Sequence, residues 1–142
     1  MKKYLYLLVL VFLVSGCAST TQFVPFPDQS KIVEDPNKAR IYVVRPTSFG
    51  AAILMSVRDG DKFIGDTGPN GYLCWERDPG KAEVFGKAEN RSRLALNVEK
   101  GMVYYIQQHV RMGWIMARNK LSQLTESEGK AKVKKCKPPK TD

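Results

Sequence analysis

Three cysteines, one histidine and a few acidic turns are where reactive chemistry could begin in this 142-residue chain. Cys74 and His109 could act as nucleophile and base if the thiol pKa were lowered and the imidazole lay within hydrogen-bond reach. Strand periodicity puts His109 in phase with Val103, Tyr105 and Gln107, but no spacing ties it to Cys74. The bland alternative, a disulfide cysteine and a half-exposed strand histidine, is the reading taken. Asp59, Asp61 and Asp66 could start a calcium turn, yet the rest of such a loop is missing, so they read as turn residues. No His, Cys and acid cluster stands at ligand spacing, and no glycine-rich phosphate loop occurs. The expectation is a protein with no metal, no cofactor and no catalytic residues. Tyr104, Tyr105, Trp114 and Trp75 are candidates for a recognition surface, since aromatics on sheets serve sugars and protein hot spots. Tyr104 and Tyr105 are adjacent and point to opposite sides of a strand, which leaves room for only one of them in a core.

Cys17 calls for different chemistry. Lys2 and Lys3 precede an apolar run, Tyr4 to Val14, and Leu13-Val14-Ser15-Gly16-Cys17 closes it. Eleven residues make about 16 Å of helix, roughly half a hydrocarbon core, so the run suits a signal h-region better than a membrane span. The layout resembles a bacterial lipoprotein signal. That resemblance implies cleavage between Gly16 and Cys17, with lipid on the new amino group and on the cysteine sulfur. One acyl chain holds a protein only marginally. Lipoproteins of this kind carry three, which makes attachment close to permanent. Ala18-Ser19 follows, without the Asp that retains related proteins in the inner membrane, so the resemblance points to the outer membrane, on a face the sequence does not specify.

Removing residues 1–16 leaves 126 residues, enough for one domain. The formal charge of +9 includes Lys2 and Lys3, so the mature part carries +7. Much of it lies in Lys130, Lys132, Lys134, Lys135, Lys137 and Lys140. Export argues against nucleic acid as the partner. On an anchored protein, Lys134, Lys135 and Lys137 could meet anionic lipid head groups, each contributing about 1 kcal/mol; the alternative is a solvated, frayed tail. With Cys17 lipidated, Cys74 and Cys136 remain as an even pair in an oxidising compartment, which predicts a disulfide.

The elements that must position these residues are mostly strands. Residues 17–38, with Pro25, Pro27 and Pro36, read as a lipidated N-terminus and tether, although Phe23, Val24 and Phe26 are unusual in a free linker. A domain over 39–142 follows. Short β-branched and aromatic runs at 41–44, 53–57, 62–66, 72–76, 82–86, 93–98 and 102–110 alternate with Gly, Pro and Asp turns, and 114–117 could add one more. The spacing predicts a mainly β fold, a small antiparallel sandwich of about seven strands. Thr125-Glu126-Ser127-Glu128 fits a capping box and predicts one short C-terminal helix, weakened by Gly129.

Ala39-Arg40-Ile41-Tyr42-Val43-Val44-Arg45-Pro46 and Gly101-Met102-Val103-Tyr104-Tyr105 resemble the first and a later strand of a bacterial lipoprotein family of unknown function. The turns Asp59-Gly60, Gly65 and Pro79-Gly80 lie between them, as in surface-layer and carboxypeptidase-regulatory-type sandwiches. The resemblance spans about 39–136 and implies fold and location without an activity. Together these observations predict a non-enzymatic, lipid-anchored interaction or accessory module of the cell envelope. Its partner would be an envelope protein or an envelope glycan, and a thiol enzyme is the more distant alternative.

Overall fold

A computed structural model describes residues 18–115 and 117–141. Gly16, Cys17 and the signal therefore lie outside the described residues, as does Met116. The strands are β1 Thr21–Gln22, β2 Ala39–Arg45, β3 Met55–Asp59, β4 Lys62–Thr67, β5 Gly71–Arg77, β6 Gly80–Lys87, β7 Arg91–Val98, β8 Val103–Met112, β9 Ala117–Leu124 and β10 Lys140–Thr141. One helix, α1, spans Glu126–Lys135. Two sheets pack face to face, one ordered β10-β1-β4-β3-β6-β7 and the other β5-β2-β8-β9.

The expected sandwich is present with two corrections. Ten strands, rather than about seven, occur among the described residues. The sheets are also not purely antiparallel, because β2 runs parallel to β8 and β1 parallel to β10. The extra strands include the two-residue β1 and β10, which are too short to carry a periodic signal. The other departure is β9, which begins where a strand over 114–117 was expected to end. Its inward positions are Ala117, Asn119 and Leu121, and the buried Asn119 breaks the apolar alternation.

The turns follow local chemistry. Asp59 pairs with Lys62, leaving Gly60 and Asp61 as a two-residue hairpin loop with Gly60 at φ 56°. In the turn 68–71 it is Asn70, rather than a glycine, that takes positive φ, at 51°. The capping box forms as the sequence implies: Thr125 Oγ1 accepts from the Glu128 amide, and the Glu128 carboxylate accepts from the Thr125 amide at 3.0 Å.

Two apolar clusters divide the interior. Ile41, Val43, Leu73, Trp75 and Ile106 meet Val57, Ile64, Val84 and Leu96 between the sheets. On the opposite face of the four-stranded sheet, Tyr42, Val44, Tyr72, Cys74 and Tyr105 pack with Cys136 and, more loosely, with Phe26 and Val133. That sheet is thus covered twice, by the other sheet and by a third layer made of α1 and the N-terminal segment. Every residue of β2 is consequently buried, and a strand covered on both faces loses the alternation that normally marks orientation.

Residues 18–38 do not form a free tether: β1 joins the six-stranded sheet beside β4, and the segment that follows contributes to the third layer. Gln22 is 1% exposed; its Nε2 donates to the Cys74 carbonyl at 2.7 Å and its Oε1 accepts from the Cys74 amide at 3.0 Å. Thr20 and Pro27 are buried as well. The C-terminus is similarly held. The Lys137 amide donates to Asn70 O at 2.8 Å and the Lys140 amide to Thr20 O at 2.9 Å, so the lysine-rich end, helix α1 followed by the edge strand β10, is not a frayed tail.

Candidate functional site

The motif strand β2 carries two arginines, and both are buried. Arg40 lies on the outer face, 1% exposed. Its Nε and Nη2 donate to Glu76 Oε1 at 3.0 and 2.8 Å, Nη1 donates to Lys31 O at 2.9 Å, and Nη2 also reaches Asp28 O at 3.0 Å. Glu76 in turn accepts from the amides of Glu34 at 2.6 Å and Asp35 at 3.0 Å. Burial pushes the Glu76 carboxyl upward, but those two amides and the guanidinium outweigh it and hold it below its ordinary value. The pair is therefore a clamp on residues 28–35.

Arg45 lies on the inner face, fully buried, with carbonyls as partners. Its Nη1 donates to Ile53 O at 2.6 Å and Thr67 O at 2.8 Å, and its Nη2 to Gly50 O at 2.8 Å and Phe49 O at 3.3 Å. Burial lowers its pKa. Arg45 thus fixes the loop 48–54. Sequence reasoning did not assign roles to Arg40, Arg45, Glu76 or Gln22. The available signal was two arginines closing on an otherwise apolar strand, a position where charge survives only with dedicated partners.

The candidate reactive groups do not converge. Cys74 is completely buried, and burial pushes its thiol up to about 11 despite a long contact from Gln29 Nε2 to its Sγ, 3.7 Å. A thiol so shifted is a poor nucleophile. His109 shares the outer face of the sheet, but it is four residues along β8 and two strands across from Cys74. Ordinary strand spacing makes that about 16 Å. Its Nε2 meets Ser122 Oγ at 2.7 Å and its Nδ1 meets Gln107 Nε2 at 3.3 Å. Burial, with Arg111, Lys132 and Lys120 nearby, lowers its pKa. Among the described residues no three His, Cys, Asp or Glu side chains gather to hold a metal. Asp59, which closes the hairpin loop at Gly60-Asp61, also accepts from Trp75 Nε1 at 2.9 Å and pairs with Arg77.

The Cys74–Cys136 bridge expected from the sequence is not formed; both are free, buried thiols. They share one apolar cluster, but Cys136 precedes Lys137, which pairs with Gly71, and Cys74 lies three residues further along β5. That is about 10 Å of strand rise, against a Cα separation of at most about 7 Å in a disulfide. The Cys136 thiol is also raised by burial. Iodoacetamide should leave both thiols unmodified in the native protein and modify both after unfolding without reductant. Peptides joined through Cys74 and Cys136 in mass mapping would contradict this.

The proposed aromatic surface divides three ways. Tyr104 packs on the inter-sheet core, and its hydroxyl accepts from the Glu99 amide at 2.9 Å. Tyr105 is 6% exposed, stacked on Tyr42 at 5.1 Å between ring centres and covered by α1. Both tyrosines are therefore packed, because the sheet they share is covered on both faces. Trp114 stands at the β8–β9 tip, 92% exposed. A cleft of about 400 Å³ runs over Tyr42, Tyr72 and Tyr105, with Gln29 on one wall and Lys130 and Lys134 on the other. All three tyrosines are buried, so little of each ring is open to a ligand. Lys130 pairs with Glu126, Lys134 and Lys135 are exposed in the last turn of α1, and Lys137 lines a hollow together with Ala18 and Ala51.

Fold and anchor chemistry together define a β-sandwich envelope lipoprotein. Residues 1–18 match the prokaryotic membrane lipoprotein lipid attachment site, which makes this a membrane-anchored protein of the envelope. The chain belongs to the family described as "Protein of unknown function (DUF2846)", whose pattern covers residues 35–120. It is also similar to an uncharacterized protein of Haemophilus influenzae (strain ATCC 51907 / DSM 11121 / KW20 / Rd). The two are 28% identical over 127 residues, 87% of this chain and 76% of the relative. The family region contains Arg40, Arg45 and Glu76.

Proposed function

We propose that the protein is a non-catalytic interaction or accessory module, held by lipid at Cys17 in the outer membrane. The observation that carries this reading is the placement of its reactive groups: the buried Cys74 thiol is raised to about 11 and is separated from His109. Ala18-Ser19 after the acylated residue supports the outer rather than the inner membrane. Cys17→Ser should abolish processing and release the protein from the membrane fraction. A variant that still sediments wholly with membranes at unchanged mature mass would refute the anchor. Partners are then sought by crosslinking in intact cells and identifying what joins the mature protein. A second reading, an envelope glycan as ligand, draws on the cleft between Gln29 and Lys134. Glycan fragments that shift the amide resonances of residues 29–32 and 130–134 would support it.

A further inference from the structure

The end of the sandwich nearest the lipid carries its most exposed apolar side chains. Ala18, bonded directly to Cys17, is already part of the fold. Its amide donates to Ala51 O at 3.1 Å, and a Cβ placed on Gly68 would lie 2.3 Å from its carbonyl oxygen. No free spacer therefore separates the acylated residue from the domain. One residue spans about 3.5 Å, so an anchored protein holds the 48–51 loop close to the bilayer surface.

The β8–β9 hairpin rises beside that loop. A Cβ on Gly50 would touch Val110 and Ala117 at 3.5 and 3.7 Å, so the loop is level with the hairpin just below its tip. Because β2 and β8 run parallel, both point toward this end, and β8 continues past the end of β2. Trp114 is four residues beyond Val110, at most about 13 Å further out. Interfacial segments settle about 5–10 Å into the headgroup and acyl boundary. The tip is apolar throughout its described part: Met112, Trp114 and Ile115 are 79%, 92% and 87% exposed. It is also held in place, since the Glu89 carboxylate accepts from the Trp114 and Ile115 amides, each at 3.3 Å.

Cations surround this end. Arg111 and Arg118 face each other across the hairpin and are exposed. Lys137 and Lys140 line a hollow with Ala18 and Ala51. Tryptophan is at home at membrane interfaces, and arginine or lysine near an anionic surface adds about 1 kcal/mol per residue.

We propose that this end is a membrane-seating surface: the Met112–Ile115 tip enters an anionic phospholipid bilayer beside the lipid anchor, while Arg111, Arg118, Lys137 and Lys140 meet headgroup phosphates. The proposal rests on acylation at Cys17. Such a seat would fix the orientation of the domain and turn the third layer, with α1, toward the side of the sandwich and away from the membrane plane.

The protein reports on this itself, because it has two tryptophans and Trp75 is only 2% exposed. The mature acylated protein would be reconstituted in phosphatidylglycerol-containing vesicles with brominated acyl chains. Most of the Trp114 emission should be lost, the loss being read as the difference from Trp114→Ala, and in vesicles without bromine the bilayer should shield Trp114 from quenching by aqueous iodide. Arg111→Gln with Arg118→Gln, and vesicles of phosphatidylcholine alone, should each restore part of the emission. An acylated protein whose Trp114 stays open to iodide and insensitive to bromine overturns the seating, and assigns the tip to a protein partner, without touching the anchor. A purified protein with no acyl mass on Cys17 overturns both.

Discussion

Glu76→Ala is expected to cost about 3–5 kcal/mol in urea unfolding, the range for stranding one member of a buried ion pair. Arg40 is 1% exposed and Glu76 10%, so water cannot take over the charge that remains. The amides of Glu34 and Asp35 lose their acceptor in the same step. Replacing both partners, Arg40→Met with Glu76→Leu, should cost less than the two single changes summed, because no buried charge is left. The acid response has a definite sign. The Glu76 carboxyl is lower in the folded state than in the unfolded chain, so its contribution is fully present above the ordinary carboxylate pKa. It is lost as pH falls through the depressed folded value. Residues 28–35 should accordingly become protease-sensitive in acid before the sandwich melts. A Glu76→Ala protein with wild-type stability would show that the segment is not clamped.

Gly129→Ala is expected to destabilise by about 1–3 kcal/mol, the usual range for overpacking. Helix propensity alone predicts the opposite, a gain of about 1 kcal/mol. The reversal comes from close approach. A Cβ on Gly129 would fall 2.1 Å from Tyr105 Cγ and 2.4 Å from Tyr105 Cβ, and Tyr105 is stacked on Tyr42 with little room to retreat. α1 would have to lift from the sheet. Thermal unfolding decides between the two effects; a raised melting temperature would mean that the helix stands off Tyr105.

Much of the sandwich is legible in the sequence. The alternation at Leu94, Leu96 and Val98 marks one wet face, and the Gly60-Asp61 and 68–71 turns bound their strands as local chemistry requires. Thr125 and Glu128 announced α1 correctly, since a capping box is complete within four residues. β9 was harder to see, because Asn119 is buried for a partner 29 residues away: its amide donates to Asn90 Oδ1 at 2.8 Å. Such a partner leaves no trace in a window of eight.

By itself, then, the sequence determines the features that short segments encode: the lipid-attachment pattern over residues 1–18, the strand-and-turn class of the domain, and the capped helix. Only the tertiary structure decides what lies beside what. It turns the apparent tether into a clamped layer, since Arg40 and Glu76 meet across 36 positions. It buries Tyr105 under Gly129, keeps Cys74 and Cys136 unbonded, and brings Ala18 to the same end as Trp114. The physical reason is that periodicity and capping report the local preference of one segment for one face. Burial on a second face, and the charges that survive there, depend on contacts whose closure is settled by the whole chain.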